Sequence, residues 1–151
     1  MSGAAEVEED VNLLTVYGDA LADALAGPRE QIGERFVRTF LKFWEDPRLR
    51  PQFVAVIRSA TAGEGSSTPL REFMSAQLFA RVAEKLKVPS LSLEEVAEML
   101  NVPALNLNAA AAQVMGVAML RYVLEMEPMV SASGDEIIDL LAPTIQGYLG
   151  P

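Results

Sequence analysis

Residues 104–127 read ALNLNAAAAQVMGVAMLRYVLEME, and between Ala109 and Leu120 the only polar side chain is Gln113. A run of Ala, Val, Leu and Met of this length, set between Pro103 and Pro128, predicts one helix from Ala104 to Glu127 that is apolar around its whole circumference. Such a helix has to be covered on every side. Cover by lipid is excluded, because Asn106, Asn108, Gln113 and Arg121 interrupt the stretch from Leu105 to Leu124, and no membrane span is expected. The helix belongs inside a helical protein, and the small residues Ala109 to Ala112, Gly116 and Ala118 let a partner helix from a second copy come close.

The flanking sequence supplies more helices. Downstream, Ser133 and Glu136 form a capping box, and Ile137, Ile138, Leu141, Ile145, Tyr148 and Leu149 make one stripe, with Pro143 expected to bend the helix. Upstream, Ser92 and Glu95 repeat the capping pattern before Val96, Met99 and Leu100, and Pro103 is expected to close that short helix. Thr68 and Pro69 open a long helix through Leu70, Phe73, Met74, Leu78, Val82 and Leu86, after the loop Thr61 to Ser67. Ile32, Phe36, Val37, Phe40, Leu41 and Trp44 share one face of an amphipathic helix started by Pro28. Asp46 and Pro47 end it and offer a cap and a first-turn proline to the next, which carries Phe53, Val54, Ile57 and Ala60. Asn12 to Ala26 carries a further helical stripe that Gly27 stops. Residues 1–10 are small and acidic and are expected to form a flexible lead-in, leaving 11–151 as a single domain. No alternating strand run, hairpin dipeptide or internal repeat occurs, so the expected fold class is all-α, a multi-helix bundle of about six to eight helices.

Composition narrows the chemistry. The chain has no cysteine and no histidine, which removes Cys/His zinc sites, thiol nucleophiles, Ser-His-Asp triads and haem held by histidine. No phosphate loop, nucleophile elbow or spaced acid pair is present, so no enzymatic activity and no cofactor are expected. Glu94, Glu95 and Glu98 lie on one short helix face, too poor a cage for a metal. Twelve Lys and Arg against 21 Asp and Glu give a net charge of −9, and from Val88 to Pro151 the single basic residue is Arg121. Nucleic-acid binding by this chain alone is therefore not expected. Arg35, Arg38, Lys42, Arg48, Arg50 and Arg58 form a local basic region, read as a solvated helix face. The acidic N-terminus lacks the charge and apolar run of a secretory segment, so a cytoplasmic location is expected.

Two readings stand for the aromatic and methionine side chains. Phe40, Trp44, Phe53, Phe73, Met115, Met119 and Tyr122, with Phe43 and Phe79 near them in sequence, either fill a core or line a cavity for an apolar ligand. Trp44 and Tyr122 add a polar handle that can fix a ligand's orientation. Arg121 either anchors an acidic ligand or pairs with a carboxylate such as Glu125, one turn away.

Three blocks carry a family resemblance: GPREQIGERFVRTFLKFWEDPRLRP (Gly27–Pro51), GVAMLRYVLEMEPM (Gly116–Met129) and LAPTIQGYL (Leu141–Leu149). In this order they resemble the C-terminal domain of tetracycline-repressor-family transcriptional regulators of the actinobacterial type. The resemblance implies an all-helical domain that binds a small effector between its helices and forms a homodimer. It implies that the last two long helices pair with those of a partner in a four-helix bundle, with Val114, Val117, Leu120, Ile137, Leu141, Ile145 and Tyr148 expected at the contact. Family members begin with a helix-turn-helix DNA reader, whereas here only about two dozen residues precede Gly27, six of them acidic and none basic, so the reader is expected to be missing. Beside the family pattern, the segment Val88 to Asn108 looks like an insertion between the long helix and the first dimer helix, expected to serve either as a lid over the pocket or as an extension of the dimer surface. The functional expectation is an effector-sensing and dimerisation domain, and the alternative is a helical dimerisation module without a ligand.

Overall fold

The computed structural model describes residues 18–72, 78–89 and 91–150, and every regular element among them is helical. Helix α1 covers 18–26, a 3-10 turn at Arg29–Gln31 leads into α2 (Ile32–Glu45), and α3 (Arg50–Ala60) and the short α4 (Thr68–Glu72) follow. Next come α5 (Phe79–Leu86), α6 (Leu93–Leu100), α7 (Ala104–Ala118) with a π-helical turn at Met119–Val123, and α8 (Gly134–Leu149). The lead-in 1–10, the start of the first helix, Phe73 and the middle of the long helix expected from Thr68 lie outside the described residues.

The packing centres on α2 against α8. Ile32, Phe36, Val37 and Leu41 of α2 meet Ile137, Ile138, Leu141, Ile145 and Leu149 of α8, with Ala110 and Val114 of α7 and Val96 and Leu100 of α6 closing the core. Polar ties fix the antiparallel register at one end. The Gly33 N–H donates to Gln146 Oε1 at 2.8 Å, Gln146 Nε2 donates to the Arg29 carbonyl at 2.7 Å, and Arg29 donates to the Leu149 carbonyl at 3.0 Å. Glycine at position 33 allows this approach, since a Cβ there would press on the Ala142 carbonyl and lie 2.7 Å from the Gln146 nitrogen. Asn106 at the start of α7 donates to the Tyr148 carbonyl at 3.0 Å, so α7 also runs against α8.

Several boundaries differ from the sequence expectation for local reasons. The Ser133–Glu136 capping box forms in full, and α8 continues through Pro143 to Leu149. Ser92 caps α6 through the Glu95 N–H, but Asn101, at φ 57°, ends that helix, and Pro103 stands at the N-cap of α7 instead. The first-turn proline of α3 is Pro51 rather than Pro47, which lies in a turn where Asp46 accepts from the Arg48 N–H at 2.8 Å. The helix expected to reach Glu127 stops at Val123, and Glu125 follows with φ 51°.

Among the described residues, α7 is covered by its own chain on one side only. Ala110, Val114 and Ala118 are buried, while Leu105 is 74% exposed and Ala112, Gln113 and Gly116 face outward. On α8 the outward face carries Leu140, 63% exposed, with Pro143, Thr144 and Gly147. Four residues expected at a dimer contact, Val114, Ile137, Leu141 and Ile145, are instead buried in the chain's own core. The stripe that marks α8 as amphipathic is the one its own α2 needs, so those side chains have no surface left for a partner. Val117, Leu120 and Tyr148 are half-buried.

Candidate ligand-binding site

The C-terminal half of α2, α3 and the end of α7 enclose a second apolar cluster. Phe43, Trp44, Ile57, Leu78 and Ala118 are buried in it, and Phe40, Phe53, Met115, Met119 and Tyr122 pack around them. Six of the seven residues expected to line a ligand cavity thus come together, and Phe73 lies outside the described residues. The helical period explains the convergence: Phe40, Phe43 and Trp44 lie one turn apart on α2, and Met115, Ala118, Met119 and Tyr122 repeat at three and four along α7 and its π turn. Phe79, by contrast, packs on the α2/α8 core.

The rings are ordered. Trp44 stacks on Phe53 with centroids 4.9 Å apart and on Tyr122 at 5.5 Å, the latter pair within 8° of parallel, and Phe43 meets Phe53 edge-on. Among the described residues, the crevice between Trp44, Phe40, Val114, Val117 and Tyr122 measures about 20 Å³. A wider surface groove of about 540 Å³ runs between the end of α1, α2 and the start of α8. Asp23, Arg35, Arg38, Lys42, Glu45 and Asp135 line it, so both signs of charge are mixed along it.

A polar clamp closes the cluster at the π turn. Arg121 pairs with Glu45 at 3.0 Å, not with Glu125, and donates to the carbonyls of Met129 at 2.7 Å and Ala132 at 2.6 Å. The Tyr122 hydroxyl donates to Glu45 at 2.6 Å, and the guanidinium groups of Arg50 and Arg121 stand 5.6 and 5.7 Å from the Tyr122 ring centre. Burial pushes the Glu45 carboxyl up, but the Tyr122 hydroxyl and the Arg121 guanidinium outweigh it and hold Glu45 below the ordinary range. Burial and the neighbouring carboxylate push the Tyr122 phenol up, so it stays protonated and donating. The sequence marks Arg121 as needing a partner but does not point to Glu45, which sits 76 residues away at the end of α2.

Among the described residues no group of three or more acidic side chains is placed to hold a metal ion. No single described helix is long and apolar enough to cross a membrane; α6 and α7 pass that test only as a pair bent by 102°.

Residues 30–149 match the family described as tetracyclin repressor-like, C-terminal domain. The chain belongs to this TetR C-terminal domain family. It is also similar to a crystal structure of a TetR-family regulator from Streptomyces coelicolor A3, at 26% identity and a TM-score of 0.57, over 91% of this chain and 84% of that one. No curated protein matches it. The TetR match spans α2 through α8, so the α2/α8 core and the aromatic cluster both fall within the family's domain.

Proposed function

We propose that this chain is the effector-sensing and dimerisation module of a cytoplasmic TetR-like transcriptional regulator and not an enzyme. It would take a small, mainly apolar molecule into the cluster of Phe40, Trp44, Phe53, Met115, Met119 and Tyr122. The observation that carries the reading is this convergence, at the end of α2, of stacked rings with two unbranched methionine side chains that can move aside. α2 links the cluster to α8, so a ligand that shifts α2 changes the platform on which a partner protomer rests. Coupling of that kind needs a ligand with different affinities for the two arrangements.

The homodimer would form through the outward face of α7 and α8, where Leu105, Ala112, Gln113 and Gly116 lie beside Leu140, Pro143, Thr144 and Gly147. Exposed apolar side chains beside small ones suit close helix pairing between two copies. Val117, Leu120 and Tyr148 keep part of their surface for the same contact.

A second reading is favoured by one observation. The crevice of about 20 Å³ is far below the roughly 300 Å³ at which ligand pockets begin, as a ligand-free dimerisation module would have it. Native mass spectrometry of the purified chain separates the two readings. A dimer carrying added small-molecule mass supports the sensor; a bare dimer that takes up no apolar compound supports the module; a bare monomer overturns the dimer proposal.

A further inference from the structure

We infer that the Trp44 indole N–H is the effector's hydrogen-bond donor, and that the effector is a neutral, largely apolar molecule bearing a carbonyl-type acceptor oxygen. The inference rests on reading the aromatic and methionine cluster as the effector site. Among the described residues, four buried polar side-chain atoms find no hydrogen-bond partner: Arg29 Nε, Arg35 Nε, Trp44 Nε1 and Gln52 Oε1. Three are spare atoms of side chains already engaged, since Arg29 donates to Leu149, Arg35 to Asp23 and Gln52 to Arg48. Trp44 differs. The indole N–H is its one polar group, and the side chain is only 3% exposed. A buried donor without an acceptor is costly enough that folded proteins seldom keep one without a use for it.

The surroundings say what the acceptor is. A lone bridging water needs two or more polar partners, whereas Trp44 sits among aromatic, methionine and aliphatic side chains. The nearby polar groups are committed: Tyr122 donates to Glu45, and Arg121 is spent on Glu45 and two carbonyls. Arg50 stands 3.9 Å from Glu45 as well. With no free cation among the described residues around Trp44 to pair it, a buried anion is disfavoured, and a neutral oxygen suits an isolated N–H. Of the two polar handles in the cluster, only that of Trp44 is unspent.

A nearly isosteric pair of probes tests this: acetophenone, which has a carbonyl, and α-methylstyrene, which has a methylene in its place. Binding is read from the methionine methyl resonances of the full chain and its Trp44→Phe variant, and from the indole N–H resonance of its single tryptophan. The ratio of the two dissociation constants should change about tenfold against the ketone in W44F, equivalent to about 1.4 kcal/mol. In the wild type, acetophenone alone should move the indole proton downfield. That shift decides the matter even where W44F folds poorly. Equal shifts with both probes, or an unchanged ratio, overturn the Trp44 assignment and leave the pocket standing. Binding of neither probe at millimolar concentration overturns the effector-pocket reading, and this inference with it.

Discussion

Replacing Arg121 with alanine tests whether the clamp at the π turn is held by carbonyls or by the ion pair. The guanidinium is 10% exposed and donates to the Met129 and Ala132 carbonyls at 2.7 and 2.6 Å, short charge-assisted bonds. Each is worth roughly 1.5 kcal/mol at a part-buried site where water can partly replace the lost donor. The pair with Glu45 adds less, because that carboxylate is 45% exposed and solvent screens it, leaving about 0.5 kcal/mol. The expected cost of R121A is therefore about 3.5 kcal/mol. Urea unfolding followed by far-UV circular dichroism measures it, at one protein concentration because a dimer's midpoint moves with concentration. Two controls give the number its meaning. Glu45→Gln, which removes only the ionic part, should cost less than about 1 kcal/mol, and Arg121→Lys, which keeps the charge but loses the fork, should recover about half of the alanine loss. An R121A loss no larger than that of E45Q would refute the carbonyl clamp and leave the ion pair as the main tie between α2 and the π turn.

Gly33→Ala should destabilise the chain by roughly 1–3 kcal/mol, because the added methyl meets backbone atoms of α8 that cannot swing away; an unchanged urea midpoint would show that α2 and α8 pack less closely. Glu45 has a depressed pKa in the folded chain, so its share of stability is complete above the ordinary value of 4.5 and is lost as pH falls through the lower folded value. Thermal unfolding between pH 5 and 3 should thus be less steeply pH-dependent in E45Q than in the wild type, and parallel curves would contradict this. Leu140→Asp, on the outward face of α8, should leave the helical signal intact and convert the dimer to monomer in sedimentation velocity; a persistent dimer would move the interface elsewhere. Gly116→Ala has nothing within 4 Å in its own chain and should gain up to about 1 kcal/mol of helix propensity as a monomer. A weaker dimer in the same variant would mark Gly116 as a point of close approach between protomers.

The helical architecture was legible because each helix writes its own period and punctuation. The Ser133–Glu136 box, the stop at Gly27, and the loop from Thr61 to Ser67 are local signals, and the structure carries each where the sequence places it, whereas Pro28 precedes a 3-10 turn and α2 begins only at Ile32. The errors are also local in origin. Asn101 in the left-handed conformation ends α6 two residues before Pro103, and the π turn at Met119–Val123 has no compositional mark that separates it from the helix it continues.

The site was half legible for a different reason. Grouping the aromatic and methionine residues needs only their spacing along two helices, which periodicity supplies. Deciding which polar handle is free needs the partner of each, and those partners come from remote segments. Arg121 and Tyr122 both close on Glu45, and no spacing rule links residues 76 and 77 positions apart. The same limit applies to the α8 residues expected at a dimer contact. A strong apolar stripe marks the face that is buried but not what buries it, and on α8 that stripe goes to α2 of the same chain. The face proposed for a partner is the weaker one, small residues with Leu105 and Leu140 standing out of it, and small side chains of the kind that suit close helix approach carry little hydrophobic signal.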